Sequence, residues 1–260
     1  MRKVALIQAR MDSSRLPGKV LMPLAGKPLV LHVVERLRAS SQLDQVVVAT
    51  AVDASNDPLV ELCRANDVEV FRGSLPDVLL RLTEAGRMAR AELVARVTCD
   101  CPLVETGYMD DRLKLLEQDG LDFTYCRSSS LVFAGASVMS MVFLEQLNRE
   151  VTDPRDREHC GLPYALRHRN RFHSREVFPD PRLNAYNFRL TVDELPDYEL
   201  MSRIYALLYR PGKPIAIWDV IGLLESRPDL AGHNRHVRQN PLQADPGSQE
   251  HRLENERKEP

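Results

Sequence analysis

Short apolar runs alternate with stretches of helical periodicity over the first hundred residues. Four of these runs are rich in Val, Leu, Ile and Ala and predict buried strands, at residues 3–7, 45–50, 68–71 and 93–98. Apolar side chains recur three or four residues apart between the runs, which predicts helices at residues 28–38, 57–63 and 77–89. Strands separated by helices are typical of βαβ units. We therefore expect an α/β fold with a mostly parallel, Rossmann-like sheet and helices on both faces.

The pattern is less regular after residue 100. It predicts further strands at residues 123–126, 136–141 and 188–192. It predicts further helices at residues 142–148, 156–168 with an interruption near Pro163, 200–209 and 218–226. Residues 241–260 contain few apolar side chains, so they cannot bury enough surface to offset the entropy lost on ordering. We predict one domain over residues 1–240, followed by a disordered polar tail at residues 241–260.

The composition argues against several classes of protein. The 260 residues contain 35 basic and 37 acidic side chains, so the net charge of −2 gives no global field toward nucleic acid or a membrane surface. The five cysteines show no paired C-x-x-C spacing, and Cys99-x-Cys101 fits neither zinc nor thioredoxin-type patterns. The chain offers no run of eighteen apolar residues and no signal peptide. We expect a cytoplasmic protein with reduced thiols. Any site that binds an anion must be formed by a few neighbouring side chains, since the net charge does not attract anions.

The segment after the first strand, residues 8–19, reads QARMDSSRLPGK. It concentrates three cations and two hydroxyls, namely Arg10, Arg15, Lys19, Ser13 and Ser14. Ligands of parallel sheets bind beyond the carboxyl ends of the strands, and Arg and Lys make strong charge-assisted bonds to phosphate. Gly18 would let the backbone approach such a ligand closely. A phosphate cradle or a solvated basic loop fits this composition, whereas the spacing excludes a P-loop.

Two aspartates also follow predicted strands. Asp100 comes after the strand at residues 93–98, and Asp193 comes after the strand at residues 188–192. Each alone is a common turn or capping residue, but a pair at one sheet edge could hold Mg²⁺, which prefers few carboxylates together with phosphate oxygens. Cations that bind phosphate, next to a pair of carboxylates that holds a metal ion, are typical of sites for phosphoryl or nucleotidyl transfer.

A third polar cluster lies in residues 153–159, which read DPRDREH. Arg157, Glu158 and His159 are candidates for binding an acceptor substrate. The alternative is a charged start of a helix, stabilised by i,i+4 pairing.

Residues 7–21, IQARMDSSRLPGKVL, resemble the opening motif of the cytidylyltransferase family. The nearer likeness is to the spore coat polysaccharide biosynthesis protein F type, and 3-deoxy-manno-octulosonate and acylneuraminate cytidylyltransferases are more distant. Shorter matching stretches follow in the family's order at residues 23–28, 48–50, 71–74, 77–81, 100–103, 156–159 and 190–193. The resemblance spans residues 4 to about 205.

The resemblance implies a nucleotide-diphospho-sugar transferase fold, with CTP and Mg²⁺ as partners and an acidic sugar or related acceptor. An acceptor oxygen would attack the α-phosphorus of CTP and release pyrophosphate, and homodimers are common in such families. The residues implied to bind the nucleotide, together with the nearby hydroxyl of Ser13, are Gln8, Ala9, Arg10, Ser14, Arg15, Lys19, Asp77 and Arg81. The implied metal ligands are Asp100 and Asp193, and the implied catalytic residues are Arg10, Lys19 and Asp100.

The chain departs from the family's pattern in three stretches, one of which is residues 193–197, DELPD in place of the usual DTPED. Cys99 replaces a glycine, and Glu105 replaces an aspartate. On the acceptor side, Ser137 and Met139 stand where relatives carry carboxylates. A nucleotide-binding homologue without turnover, with a regulatory or scaffold role, is therefore an alternative. A glycosyltransferase using nucleotide sugars is a second alternative, although the chain has only Asp110-Asp111 in place of the usual Asp-x-Asp motif.

Overall fold

A seven-stranded β-sheet forms the centre of the computed structural model, which describes residues 1–126 and 135–237. Its strands are β1 (Lys3–Gln8), β4 (Gln45–Ala51), β5 (Glu69–Gly73), β6 (Leu93–Thr98), β7 (Phe123–Tyr125), β8 (Ala136–Ser140) and β9 (Ser174–Glu176). Their order is β5-β4-β1-β6-β8-β7-β9, and β8 runs antiparallel to both of its neighbours while the other pairs are parallel. A short antiparallel hairpin, β2 (Pro23–Leu24) with β3 (Lys27–Pro28), lies beside the sheet.

Helices cover both faces of the sheet, as the alternating pattern predicts. They are α1 (Leu29–Arg38), α2 (Asp57–Arg64), α3 (Val78–Met88), α4 (Thr106–Asp119), α5 (Met141–Glu150), α6 (Pro154–Glu158), α7 (Leu162–Arg167), α8 (Leu195–Leu208), α9 (Ile217–Ser226) and α10 (Pro228–Ala231). One apolar core joins the sheet to α1, α2, α4, α8 and α9, and a second core joins it to α3, α5 and α7. The predicted α/β class is confirmed.

Local signals explain where several helices begin. α2 has a proline in its first turn, where no backbone N–H is needed. Asp77 caps α3, because its side chain accepts a hydrogen bond from the N–H of Leu80. The predicted helix at residues 156–168 is two short helices, and the break lies at Cys160 and Gly161, which both have positive φ angles. Pro163 starts the second helix instead of interrupting one.

Two predictions from the pattern were wrong or incomplete. Residues 188–192 form no strand, and the N–H of Val192 bonds to the carbonyl of Asp100 at 2.8 Å. The apolar pattern did not predict α4, because its buried face includes Asp110 and Arg112 beside Leu113. Asp110 accepts hydrogen bonds from two serines of the loop after α1, and Arg112 donates three to groups at β7 and β8.

All five cysteines are free thiols, as expected. Burial raises the pKa of Cys63 and of Cys160 to about 11, so both stay protonated at neutral pH. None of the helices within residues 1–126 and 135–237 has the length and hydropathy that crossing a membrane requires. The predicted tail at residues 241–260 lies outside the described residues, and the single domain over residues 1–240 stays a prediction.

Candidate active site

The basic segment after β1 and the loop after β6 meet at the carboxyl edge of the sheet, as the sequence predicts. The basic loop folds back on itself, because the N–H of Gly18 bonds to the carbonyl of Met11 at 2.9 Å. The N–H of Met11 in turn bonds to Oδ1 of the buried Asn56 at 2.9 Å. Gly18 has a φ of 72°, a left-handed conformation that strains any residue with a Cβ. This turn directs Lys19 into the protein.

Lys19 is buried at the centre of the site. Its ammonium donates to the carbonyl of Val192 at 2.6 Å and to Oδ1 of Asp193 at 2.9 Å, and lies 3.9 Å from Oδ2 of Asp100. Both candidate metal ligands therefore converge on a single cation. The backbone hydrogen bond from Val192 to Asp100 joins the segment before Asp193 to the loop after β6, although the two do not pair as strands.

Asp193 is the most heavily paired carboxylate of the site. Arg15 lies 3.1 Å from it and Arg189 lies 3.0 Å from it, in addition to Lys19. Burial by itself would raise the pKa of Asp193, but the three cations outweigh burial and lower the pKa below its ordinary value. Asp193 is therefore ionised over the whole neutral range.

A buried network behind Asp193 fixes its position, and the sequence motifs gave no sign of it. Asp197 is 1% exposed, and accepts two hydrogen bonds from Arg189 and one each from the backbone N–H groups of Asp193 and Glu194. Asn234, which follows α10, adds a bond of 2.8 Å to Asp197 and one of 3.0 Å to the carbonyl of Arg189. A residue late in the chain thereby supports a carboxylate of the candidate site.

The carboxylates of Asp100 and Asp193 have the donor chemistry that a hard divalent cation needs. Magnesium binds oxygen at about 2.1 Å and takes one or two carboxylates together with phosphate oxygens. Within the described residues no group of three or more His, Cys, Asp or Glu side chains could hold a metal, so the protein supplies at most this pair. The pair fits a metal whose remaining ligands come from a phosphate.

The other residues of the basic loop lie nearer to solvent. Arg10 is exposed, and its closest carboxylate is that of Glu158 at 4.0 Å. Ser13 accepts a hydrogen bond from the N–H of Leu16 at 3.4 Å, and Ser14 is exposed. The loop thus presents two cations, Arg10 and Arg15, and the hydroxyl of Ser14 to solvent, beside the buried Lys19.

Asp77, Arg81 and Arg157, which we expected at the ligand, have structural partners. Arg157 donates to Asp77 at 2.8 Å and to three acceptors on Asn148 and Val151, so its guanidinium is fully used. Arg81 is 1% exposed, and holds the carbonyls of residues 74 and 75. Burial and the nearby Arg10 charge lower the pKa of Arg81 to about 10. Arg157 therefore joins α6 to α3, and its binding of an acceptor stays a prediction.

The substitutions after β6 have local explanations. Cys99 is buried and has no positive φ angle, so this position does not need a glycine. Glu105 caps α4, because its carboxylate accepts a hydrogen bond from the N–H of Tyr108 at 2.6 Å. Neither change disturbs the position of Asp100.

Asp12 is the one acid within the basic loop. Its carboxylate accepts a hydrogen bond from Ser55 Oγ at 2.9 Å on the exposed side of the loop. We predict that Asp12→Ala leaves the dissociation constant for CTP unchanged or lowers it up to about threefold, because it removes negative charge near Arg10 and Arg15. Isothermal titration calorimetry with CTP measures this, and Asp57→Ala, at another exposed acid, is the matched control. A tenfold weakening in Asp12→Ala would contradict this orientation of the loop.

Comparison with known proteins places this arrangement in a family. The cytidylyltransferase family model matches residues 4–207. The spore coat polysaccharide biosynthesis protein SpsF of Bacillus subtilis is 31% identical over 231 residues, which cover 87% of this chain and 95% of the relative. The structure of a cytidylyltransferase from Leptospira borgpetersenii is similar with a TM-score of 0.81 and 28% identity, and covers 92% of this chain and 100% of its own.

A more distant structure shares the fold alone. CMP:2-keto-3-deoxy-manno-octonic acid synthetase complexed with CTP is similar with a TM-score of 0.59 at 18% identity, over 79% of this chain and 99% of its own. The sheet of the present chain is thus the Rossmann-like sheet of nucleotidyltransferases, as expected. Since the family model matches most of the chain and SpsF is matched over nearly its whole length, the chain belongs to the cytidylyltransferase family.

Proposed function

We propose that the protein transfers CMP from CTP to an acidic sugar or related acceptor and releases pyrophosphate. The observation that carries the proposal is the convergence of Asp100 and Asp193 on Lys19, with Arg15 beside them, at the carboxyl edge of the sheet. The relatives named above support CTP as the nucleotide and surface polysaccharide precursors as the pathway.

The residues divide into two groups by charge. Arg10, Arg15 and Lys19 would bind the triphosphate and stabilise the negative charge that develops as pyrophosphate leaves. Asp100 and Asp193 would hold Mg²⁺, which when bound neutralises phosphate charge at the α-phosphorus. Arg15 and Lys19 hold the Asp193 carboxylate in the free protein, and phosphate oxygens would replace it as their partner.

The proposal is tested with the full chain, CTP, Mg²⁺ and a panel of acidic sugars, and the readout is release of pyrophosphate. We expect CTP to bind in calorimetry, and binding to weaken at least tenfold in Arg15→Gln. Arg87→Gln is the matched control, because Arg87 is exposed and pairs with Glu145 on the neighbouring helix. Absence of CTP binding by the unaltered protein would refute the proposal.

A nucleotide-binding homologue without turnover is the second candidate. Of the two positions that lack the family's carboxylate, Met139 is fully buried in the apolar core. Of these two, only Ser137 could therefore contact a ligand. This candidate predicts CTP binding with no release of pyrophosphate for any acceptor. The structure argues against the glycosyltransferase alternative. Asp110, which would belong to its metal-binding motif, is buried and accepts hydrogen bonds from Ser40 and Ser41.

The cytoplasmic location, the homodimer and the choice of Mg²⁺ stay predictions. The same holds for the ligand-binding roles of Gln8, Ala9, Ser13, Ser14, Asp77, Arg81, Arg157, Glu158 and His159.

A further inference from the structure

Arg96 lies in β6 beside the candidate active site, and none of the sequence motifs assigns it a role. In the sheet it stands between Leu6 of β1 and Ser137 of β8. Side chains two residues apart in a strand share a face, so Gln8 and Arg96 point to the same side, which is the side covered by α3 and α5. Gln8 is the last residue of β1, and the basic loop begins directly after it.

Within residues 1–126 and 135–237, the guanidinium of Arg96 makes few hydrogen bonds. Of its five N–H groups, one donates to an acceptor among these residues, from Nη2 to Oε1 of Gln8 at 2.9 Å. Its Nε is buried and has no acceptor in the same described part of the chain. Arg112, on the opposite face, shows the usual arrangement, in which carbonyl and hydroxyl oxygens accept three hydrogen bonds from one arginine.

No carboxylate neutralises Arg96 within residues 1–126 and 135–237, because no acid there lies within 4.0 Å of its guanidinium. Ser137, its partner across the strands, carries no charge. The stretch 127–134 reads RSSSLVFA and contains no acid.

The groups around Arg96 do not neutralise its positive charge. Partial burial and the Arg96 charge both lower the pKa of His159, which is therefore neutral at physiological pH. The adjacent acid, Glu158, is exposed and faces Arg10 at 4.0 Å. Arg157 is already paired with Asp77. A buried N–H without an acceptor is costly, and Nε of Arg96 is such a donor, so an oxyanion at this place would gain a partner.

We propose that Arg96 is the core of an anion subsite that binds an oxyanion group of the acceptor, a carboxylate or a phosphate. The inference rests on the proposed function for the identity of the ligand as an acceptor. Gln8 holds the guanidinium in place, and Ser137 and His159 supply neutral polar neighbours. Arg96 lies in the sheet, whereas Arg10, Arg15 and Lys19 lie in the loop after β1, and Gln8 at the end of β1 contacts Arg96 and precedes that loop. The protein therefore selects acceptors that carry an anionic group.

The test uses the full chain saturated with CTP and Mg²⁺, so that the cradle is occupied, and titrates acetate and inorganic phosphate as separate probes. The readouts are the dissociation constant of the probe and the shift of the His159 imidazole resonances. We expect Arg96→Gln to weaken the preferred probe at least fivefold and to remove the shift. Arg87→Gln, which changes an exposed arginine paired with Glu145, should leave both unchanged. Preference for acetate assigns a carboxylated acceptor, and preference for phosphate assigns a phosphorylated one.

Ser137→Asp provides a second variant that keeps Arg96 and adds a carboxylate opposite it. We expect the same loss of probe affinity, since the two positions are directly opposed in the β6–β8 register. Equal affinity in the unaltered protein and Arg96→Gln, or no binding of either probe to the unaltered protein, would overturn the subsite.

Failure of the proposed function is distinguishable from failure of the subsite. If the unaltered protein does not bind CTP, the proposed function fails, while the acetate titration without nucleotide still compares the unaltered protein with Arg96→Gln. If CTP binds and Arg96→Gln changes nothing, only the subsite fails.

Discussion

Asp193→Asn is expected to lower turnover of CTP by about 100-fold to 1,000-fold, the range seen when one preorganised charge is removed from an active site. The substitution keeps the shape of the side chain and removes its charge. Lys19, Arg15 and Arg189 then lose their shared partner, and the proposed metal loses one of its two protein ligands. Release of pyrophosphate at saturating CTP measures the effect.

Asp229→Asn is the matched control, because Asp229 is an exposed carboxylate that pairs with Arg227 on the surface. Its turnover should stay within about twofold of the unaltered protein, since such surface pairs contribute little. Near-normal turnover in Asp193→Asn would show that Asp193 is not part of the reaction.

The lowered pKa of Asp193 also fixes the sign of its pH dependence. A carboxylate whose pKa is depressed by folding stabilises the protein above its unfolded pKa of about 4, and this contribution is lost as the pH falls through the folded pKa. Any loss of activity between about pH 5 and pH 6 must therefore come from another group.

Asp197→Ala is expected to lower the free energy of unfolding by about 3–5 kcal/mol, the cost of leaving one member of a buried ion pair alone. Its removal takes one of the two carboxylate partners of Arg189, a side chain that is 9% exposed, and deprives Asn234 and two backbone N–H groups of their acceptor. Urea unfolding followed by circular dichroism measures the change. Binding of CTP should weaken as well, because Arg189 and Asp197 together orient Asp193.

Asp229→Ala again serves as the control, with an expected loss of about 0–1 kcal/mol because both partners of that pair are at least half exposed. A loss below about 1 kcal/mol in Asp197→Ala would mean that water replaces the network at no cost, and the proposed support of Asp193 would then be wrong.

Side-chain chemistry that can be read locally was predicted well. The basic loop is specified by residues within a few positions of one another, and Gly18 adopts the left-handed turn that directs Lys19 inward. Asp100 lies at the carboxyl edge because β6, which is apolar at most of its positions, ends two residues before it. Interactions between distant segments were predicted less well. The sequence did not predict the ion pair between Arg157 and Asp77, because these two residues are 80 positions apart in the chain.

The sequence by itself determined the main strands and helices of the first hundred residues, the α/β class and the cationic loop, because periodicity and turn residues act within a few positions of the chain. Only the tertiary structure decided that Asp100 and Asp193 share one lysine, that Asn234 closes the network behind Asp193, and that no acid of residues 1–126 and 135–237 pairs with Arg96. These features depend on which charges lie within a few ångströms after folding, and Coulomb interactions and hydrogen bonds at that range do not follow sequence separation.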